Sequence, residues 1–244
     1  MTAADGAIRT LDAGLKVRAF FTTRLGGVSR SPYDSLNLGR NTGDDPVAIA
    51  HNRALLACLA GVPVAFMSQS HGTTVALIEG QAAEPEADAL ITMTPGVALG
   101  VLVADCVPVL LHDLGSGAVG VIHAGRMGVT GGIAGIAIER LREVGGKRSG
   151  PIAAAIGPAI CGGCYEVPEE MRVEVTRAAP ESWAETAWGT PSLTLGAAVE
   201  AQLRTAGVDR VGVIGSCTFE SPELFSHRRE GVTGRMAGVI VCEG

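Results

Sequence analysis

Aromatic side chains are scarce in this chain, at 4% of 244 residues, so a core has to be assembled mainly from Val, Leu, Ile and Ala. Lysine- and arginine-rich runs are absent and the formal net charge is −6, which removes the electrostatic footprint of a nucleic-acid or anionic-membrane partner. The longest apolar run, VALGVLVADCVPVLL, is too short to span a bilayer and carries Asp105 in its middle. The opening residues lack the basic and apolar regions of a secretory signal, and the reading is a cytoplasmic protein. In that compartment the six cysteines are expected to be buried, catalytic or metal-binding rather than disulfide-bonded. A Walker-type phosphate loop, an HExxH helix and the HxE with PCxxC set of zinc deaminases are all missing.

What is present is an alternation of short apolar strands and amphipathic helices. Strands are predicted over residues 17–22, 62–67, 73–78, 87–93, 97–104, 107–113, 118–124, 151–157, 211–215 and 234–241. Helices are predicted from Pro46 to a stop at Gly61, with Asp45 as cap, and over 129–144, 168–178 and 195–206. The strands 107–113 and 118–124 flank LGSG and read as a hairpin. A long glycine-rich segment, RLGGVSRSPYDSLNLGRNTGDDP, follows the first strand, and ordered loops of that length are usually functional. The thirty-four glycines show no period, and no repeat or linker divides the chain. One α+β domain over residues 1–244, with mixed sheets flanked by helices, is the economical arrangement.

Two motifs fail their context. GSGAVG, residues 115–120, continues as a strand where a dinucleotide site needs a helix. CGGC, from Cys161 to Cys164, has knuckle or redox spacing but no second Cys or His pair near it in sequence, and reads as a turn. Three other residues suit metal or nucleophilic chemistry. His71 interrupts an apolar stretch within SQSHGTTV, Cys106 follows the polar break at Asp105, and His123 ends the strand AVGVIH. Taken singly, each is most often a core thiol or a hydrogen-bonded core imidazole. Together, two imidazoles and a thiolate make a three-ligand zinc set with an open fourth position. Their separations make the set non-local, and Cys106 as a nucleophile paired with a histidine stays open.

The segments FFTTRLGGVSRSPYDSLNLG, QSHG, ADALIT, ADCVPVLL, VIHAG, IGPAICGGCYEV and FSHRREGVTGRMAG occur in the order of the YfiH family, which this chain resembles from about Phe20 to its C-terminus. That family is also called laccase-domain or polyphenol oxidase-like, and includes the peptidoglycan editing factor. The resemblance implies an α/β/β/α layered fold and a zinc site of His71, Cys106 and His123, with copper as the alternative ion. It also implies phosphorolysis of purine nucleosides (adenosine, inosine, guanosine and methylthioadenosine), with adenosine deamination as a second activity. One segment departs from the family pattern: HAGWRG is replaced by HAGRMG, with Arg126 at the Trp position and Met127 at the Arg position.

Phosphorolysis needs cationic partners for phosphate, and Arg24, Arg126 and Arg228 are the candidates. Asp105 is read as a catalytic base or as an orienter of the metal ligands. A multicopper oxidase needs a histidine-rich cluster beside a mononuclear site, and five histidines in all are too few for it. The competing readings are a cysteine-type hydrolase editing peptidoglycan precursors, a copper-dependent polyphenol oxidoreductase, and a non-enzymatic cell-wall or division accessory.

Overall fold

The computed structural model describes residues 7–80 and 84–243. In chain order its elements are β1 (Thr10–Asp12), β2 (Ala19–Thr22), α1 (Pro46–Ala60), β3 (Val64–Ala65), β4 (Val75–Leu77), β5 (Ala89–Thr92), β6 (Ala98–Val103), β7 (Val107–Asp113) and β8 (Val119–Ala124). They continue through α2 (Arg126–Thr130), α3 (Ile133–Gly145), β9 (Ile152–Ile156), α4 (Glu169–Ala178), β10 (Trp183–Glu185), β11 (Pro191–Leu193), α5 (Leu195–Thr205), β12 (Arg210–Val213), α6 (His227–Glu230) and β13 (Met236–Val241). Beside a two-stranded β10-β11 ribbon there are two large sheets, one running β1-β2-β13-β6-β3 and the other β12-β9-β7-β8-β5-β4. Both are mixed: β3 lies parallel to β6, β4 to β5 and β12 to β9, against otherwise antiparallel neighbours.

The period-two alternation of side chains decides the layers. Val109 and Leu111 of β7 and Ile122 of β8 face a core shared with Ile133, Ala137 and Leu141 of α3 and with Ala198 and Leu203 of α5. Leu110, Val119 and Val121 from the same strands face Phe21, Leu99, Val101 and Ile240 of the other sheet. On that sheet's far side, Phe20, Ala237 and Val239 pack on Leu56 and Ala60 of α1. The result is helix, sheet, sheet, helix, the α/β/β/α arrangement expected. Strands covered on both faces have no polar side to show, which is why VPVLLHD and AVGVIHA read as continuous apolar runs.

The first helix follows its local signals. Asp45 accepts the Val47 N–H at 2.9 Å, Pro46 occupies the first turn, and Gly61 closes the end at φ +78°. The helix expected over 129–144 is instead two. Gly131 and Gly132, the latter at φ +76°, separate α2 from α3. The strand expected over 62–67 shrinks to β3 at the sheet edge, and β1, β10, β11 and α6 are too short for any periodicity to announce them.

Candidate metal centre and cavity

The chain leaves β6 in one sheet and enters β7 in the other after only Ala104, Asp105 and Cys106. Asp105 makes that crossing at φ +98°, and His71, in the connection between β3 and β4, stands at φ +62°. Among the described residues these are the two non-glycine positions in the left-handed region, a conformation that costs on the order of 1–3 kcal/mol and persists only where neighbours hold it. β7 and β8 pair antiparallel with Pro108 opposite His123, so His123 stands beside the start of the Cys106 strand. The outcome is convergence of residues 35 and 17 positions apart. His71, Cys106 and His123 each bring a donor atom within 4.8 Å of the others. The two imidazoles meet edge to face, with centroids 4.7 Å apart and planes at 81°.

Asp88, which sequence reasoning passed over, organises this set. Its carboxylate is fully buried. Oδ1 lies 2.8 Å from His123 Nδ1 and accepts the His71 backbone N–H at 2.9 Å. Oδ2 accepts the Gly72 N–H at 2.7 Å and the Ser70 hydroxyl at 3.0 Å. The Asp88 carbonyl in turn accepts the His123 N–H at 2.7 Å. One side chain thus holds the strained His71 backbone and turns His123 so that Nε2 is the ring nitrogen left for a ligand, the carboxylate–histidine pairing typical of metal sites. The signal was legible: Asp88 is a charged residue opening the apolar strand ALIT. Gln69 completes the loop. Its amide donates to the Leu102 carbonyl at 2.8 Å and accepts the Leu102 N–H at 3.0 Å, so it docks the loop on β6 where β3 has ended. The polar interruption Gln69-Ser70-His71 is therefore a loop pinned at two points, with His71 aimed between them.

The electrostatics are strongly coupled. Burial pushes the Asp88 carboxyl up, but His123, the Gly72 N–H and Ser70 outweigh it and bring it down to about 2. Burial lowers His123, while Asp88 and the Cys106 sulfur raise it to about 9. Burial raises the Cys106 thiol, and hydrogen bonds from His123 and His71 bring it down to about 6. A thiolate beside two imidazoles is the donor set a borderline-soft ion takes, and three protein ligands leave one position open. Steric room is reserved as well, because a Cβ on Gly125 would stand 2.8 Å from His71 Cδ2 and 3.4 Å from Cys106 Sγ. The residues present fit a zinc ion.

This set opens into a cavity of about 460 Å³, the size of a site for a small ligand. Arg40, Arg53, Arg228 and Arg235 line it. Arg53 and Arg40 are ion-paired with Glu84. The Arg235 guanidinium donates only to the Thr233 and Gly234 carbonyls, and no ion pair to it is found among the described residues. Burial lowers its pKa, opposed by the charges of Cys106 and Asp105. Arg228 lies 4.9 Å over the Tyr165 ring and donates to the Glu166 carbonyl at 2.6 Å.

The expected arginines separate here. Arg228 lines the cavity, whereas Arg24 and Arg126 do not. Arg24 is engaged with Glu230 at 2.6 Å and the Asp34 carbonyl at 2.7 Å, and stacks 4.6 Å over Phe225. Arg126 opens α2, close enough to Tyr165 for its charge to act on that hydroxyl, while Met127 is exposed. Asp105 lines the cavity with both oxygens engaged: Oδ1 accepts the Thr218 hydroxyl at 2.6 Å and Oδ2 the Arg228 N–H at 2.7 Å. Arg53 and Arg235 escaped the sequence reading, although Arg235 sits within the GRMAG segment.

Residues 18–243 match the family described as multi-copper polyphenol oxidoreductase laccase. The chain is 48% identical over 226 residues to purine nucleoside phosphorylase SCO2081 of Streptomyces coelicolor, covering 90% of this chain and 93% of that protein. Among solved structures, Neisseria meningitidis protein NMB0706 superposes with a TM-score of 0.84 at 35% identity, covering 97% and 99% of the two chains. Bacillus licheniformis hypothetical protein YfiH superposes at 0.85 with 29% identity, covering 98% of each.

Proposed function

The chain belongs to the multi-copper polyphenol oxidoreductase laccase family, and from that premise we propose that it is a zinc-dependent purine nucleoside phosphorylase with adenosine deamination as a second activity. The observation that carries this reading is the half-buried Arg235, for which no ion pair is found among the described residues, in the same cavity as His71, Cys106 and His123. A guanidinium so placed binds an oxyanion such as phosphate. The relative from Streptomyces coelicolor named for this activity supports it.

In this reading Arg235 and Arg228 hold phosphate, and one of its oxygens forms a bond to C1′ of the ribose as the C1′–N9 bond breaks. The electron pair leaves with the purine, which takes up the proton that the attacking hydrogen phosphate gives up. Tyr165 offers the base an aromatic face. Asp88 keeps His71 and His123 oriented, and Asp105, with both oxygens engaged, acts as a positioning residue rather than as a base. When bound, the zinc supplies positive charge and a polarised ligand position, the requirement for attack of water on adenosine.

Multicopper chemistry finds little support. His51 lies on the exposed side of α1, His112 is buried within β7, and His227 lines the cavity outside the donor set, so among the five histidines only His71 and His123 join it. A single copper at that set is the alternative ion. One observation favours a second reading: the low Cys106 thiol would also serve a cysteine nucleophile acting on a peptidoglycan precursor. The substrates in the preferred reading are small molecules, and the proposed location is cytoplasmic; no described helix is long and apolar enough to cross a membrane.

Purified protein assayed with inosine, adenosine and methylthioadenosine, with and without phosphate, tests the reading. The expected result is phosphate-dependent release of purine and pentose 1-phosphate, abolished by chelation and restored by zinc. Metal-free protein that still turns over, with a substrate-derived adduct on Cys106 in mass spectrometry, would overturn it.

A further inference from the structure

CGGC is not alone once the chain is folded. Cys161, Cys164, Cys217 and Glu220 bring their donor atoms within 4.8 Å of one another, a second cluster apart from His71, Cys106 and His123. The fold builds it deliberately. Ala159 and Cys217 form a parallel bridge, and the Thr218 N–H donates to the Ala159 carbonyl at 3.1 Å, laying the two segments side by side. The Cys164 and Tyr165 N–H groups both donate to the Cys161 carbonyl at 3.0 Å, which curls CGGC into a tight turn with both sulfurs on one side. The Cys161 N–H points at Cys217 Sγ, 3.4 Å away, and Cys164 Sγ lies 3.5 Å from Glu220 Oε1.

From this geometry we infer that Cys161, Cys164, Cys217 and Glu220 form a structural zinc site. None of the three cysteines is bridged, and a disulfide between any two would leave a third sulfur and a carboxylate facing each other without purpose. A cation uses all four. Thiolate ligands on a tetrahedral ion at about 2.3 Å stand roughly 3.8 Å apart, so the donors need to close by less than about 1 Å. The Cys161 N–H, 3.4 Å from Cys217 Sγ, holds that sulfur against the CGGC turn. Four protein donors also leave no open position, which is the arrangement of a structural rather than a catalytic ion.

The location gives the site a task. Ile160, beside Cys161, donates its N–H to the Asp105 carbonyl at 3.0 Å, and Thr218, beside Cys217, donates its hydroxyl to the Asp105 carboxylate. Tyr165, beside Cys164, forms part of the cavity wall. An ion here clamps the two segments that hold the strained Asp105 turn, and through it Cys106.

The test is zinc stoichiometry by elemental analysis on protein purified under reducing conditions. Wild type is expected to carry about two zinc ions per chain, and a His71→Ala/Cys106→Ser variant about one. In that variant, cobalt substitution should give an intense thiolate-to-cobalt charge-transfer band, since three sulfurs remain as ligands. Cys164→Ala/Cys217→Ala should lose one zinc while keeping the other, and its cobalt band should fall to the weaker contribution of the single Cys106 thiolate. If this variant does not fold, the His71→Ala/Cys106→Ser arm decides alone. Zinc absent from His71→Ala/Cys106→Ser, iron in place of zinc, or an intact mass showing a disulfide among these cysteines in fresh protein would each overturn the inference. The count at this cluster does not depend on nucleoside turnover, so its failure is distinct from failure of the phosphorylase reading.

Discussion

The His71–Cys106–His123 set and the Cys161–Cys164–Cys217–Glu220 set flank the same turn at Asp105, yet differ in every property that matters to chemistry. The first has three donors, two of them imidazoles, a buried carboxylate behind it and a cavity of about 460 Å³ in front. The second has four donors, three of them sulfurs, tucked against Ile160 and Phe219. An ion with one open position can meet a ligand, whereas an ion with all positions filled can only hold chain segments together. Donor count and what stands behind each donor, more than residue type, separate a reactive centre from a brace.

The sharpest way to break the distinction is at Asp88. Asp88→Asn should weaken metal binding at the first set by about 10–100-fold, because His123 and the His71 loop lose their common anchor. Zinc at the second cluster should be unaffected. Zinc titration against a competing chelator reads both, and equal losses at the two sites would end the claim that Asp88 serves only one.

Gly125→Ala probes the steric reserve of the open site. Its methyl would meet His71 Cδ2 at 2.8 Å, and a displacement of about 1 Å at a reacting centre costs on the order of 10²-fold in turnover. Steady-state rates, with circular dichroism to confirm folding, check this.

Arg235→Met should raise the KM for phosphate by about tenfold, the equivalent of roughly 1.4 kcal/mol, and leave the KM for inosine nearly unchanged. Arg235→Lys should recover part of the loss. A rise confined to the nucleoside KM would place phosphate elsewhere.

The pH behaviour of the metal-free protein follows from the shifts at the first set. Cys106 lies at about 6, so its alkylation by iodoacetamide should rise with pH through about 6 rather than through the ordinary ~8.5. Asp88 is held at about 2 against an ordinary 3.8. A depressed carboxylate stabilises the fold above its unfolded pKa, and that contribution, about 2 kcal/mol by linkage, is lost as pH falls from 3.8 through 2. Asp88→Asn should lack this acid-dependent loss in chemical denaturation.

The smallest effect is expected at the family departure. Arg126 lies outside the cavity lining, so Arg126→Trp should change the nucleoside KM by less than about twofold, within the range of ordinary surface substitutions. A large drop in KM would show that the rim at α2 reaches the substrate after all.

Local physics made much of the fold legible. Asp45, Pro46 and Gly61 bound α1 through hydrogen bonds within a few residues, and continuous apolar runs marked strands covered on both faces. His71, Cys106 and His123 stood out as polar breaks at strand ends, which is a local property too. Their meeting within 4.8 Å was not local: it required β6 and β7 to lie in different sheets, joined across Asp105, and Pro108 to register with His123. The same applies to Asp88, whose role depends on partners 16 to 35 residues away, and to Glu220 and Cys217, which reach CGGC across 56 residues. Arg24 shows the converse, since its charge suggested an anion site and tertiary packing committed it to Glu230, Asp34 and Phe225. Propensity and capping act over a few residues and can be read along the chain. Donor clusters and ion pairs are chosen by which strands become neighbours, and only the packed sheets decide that.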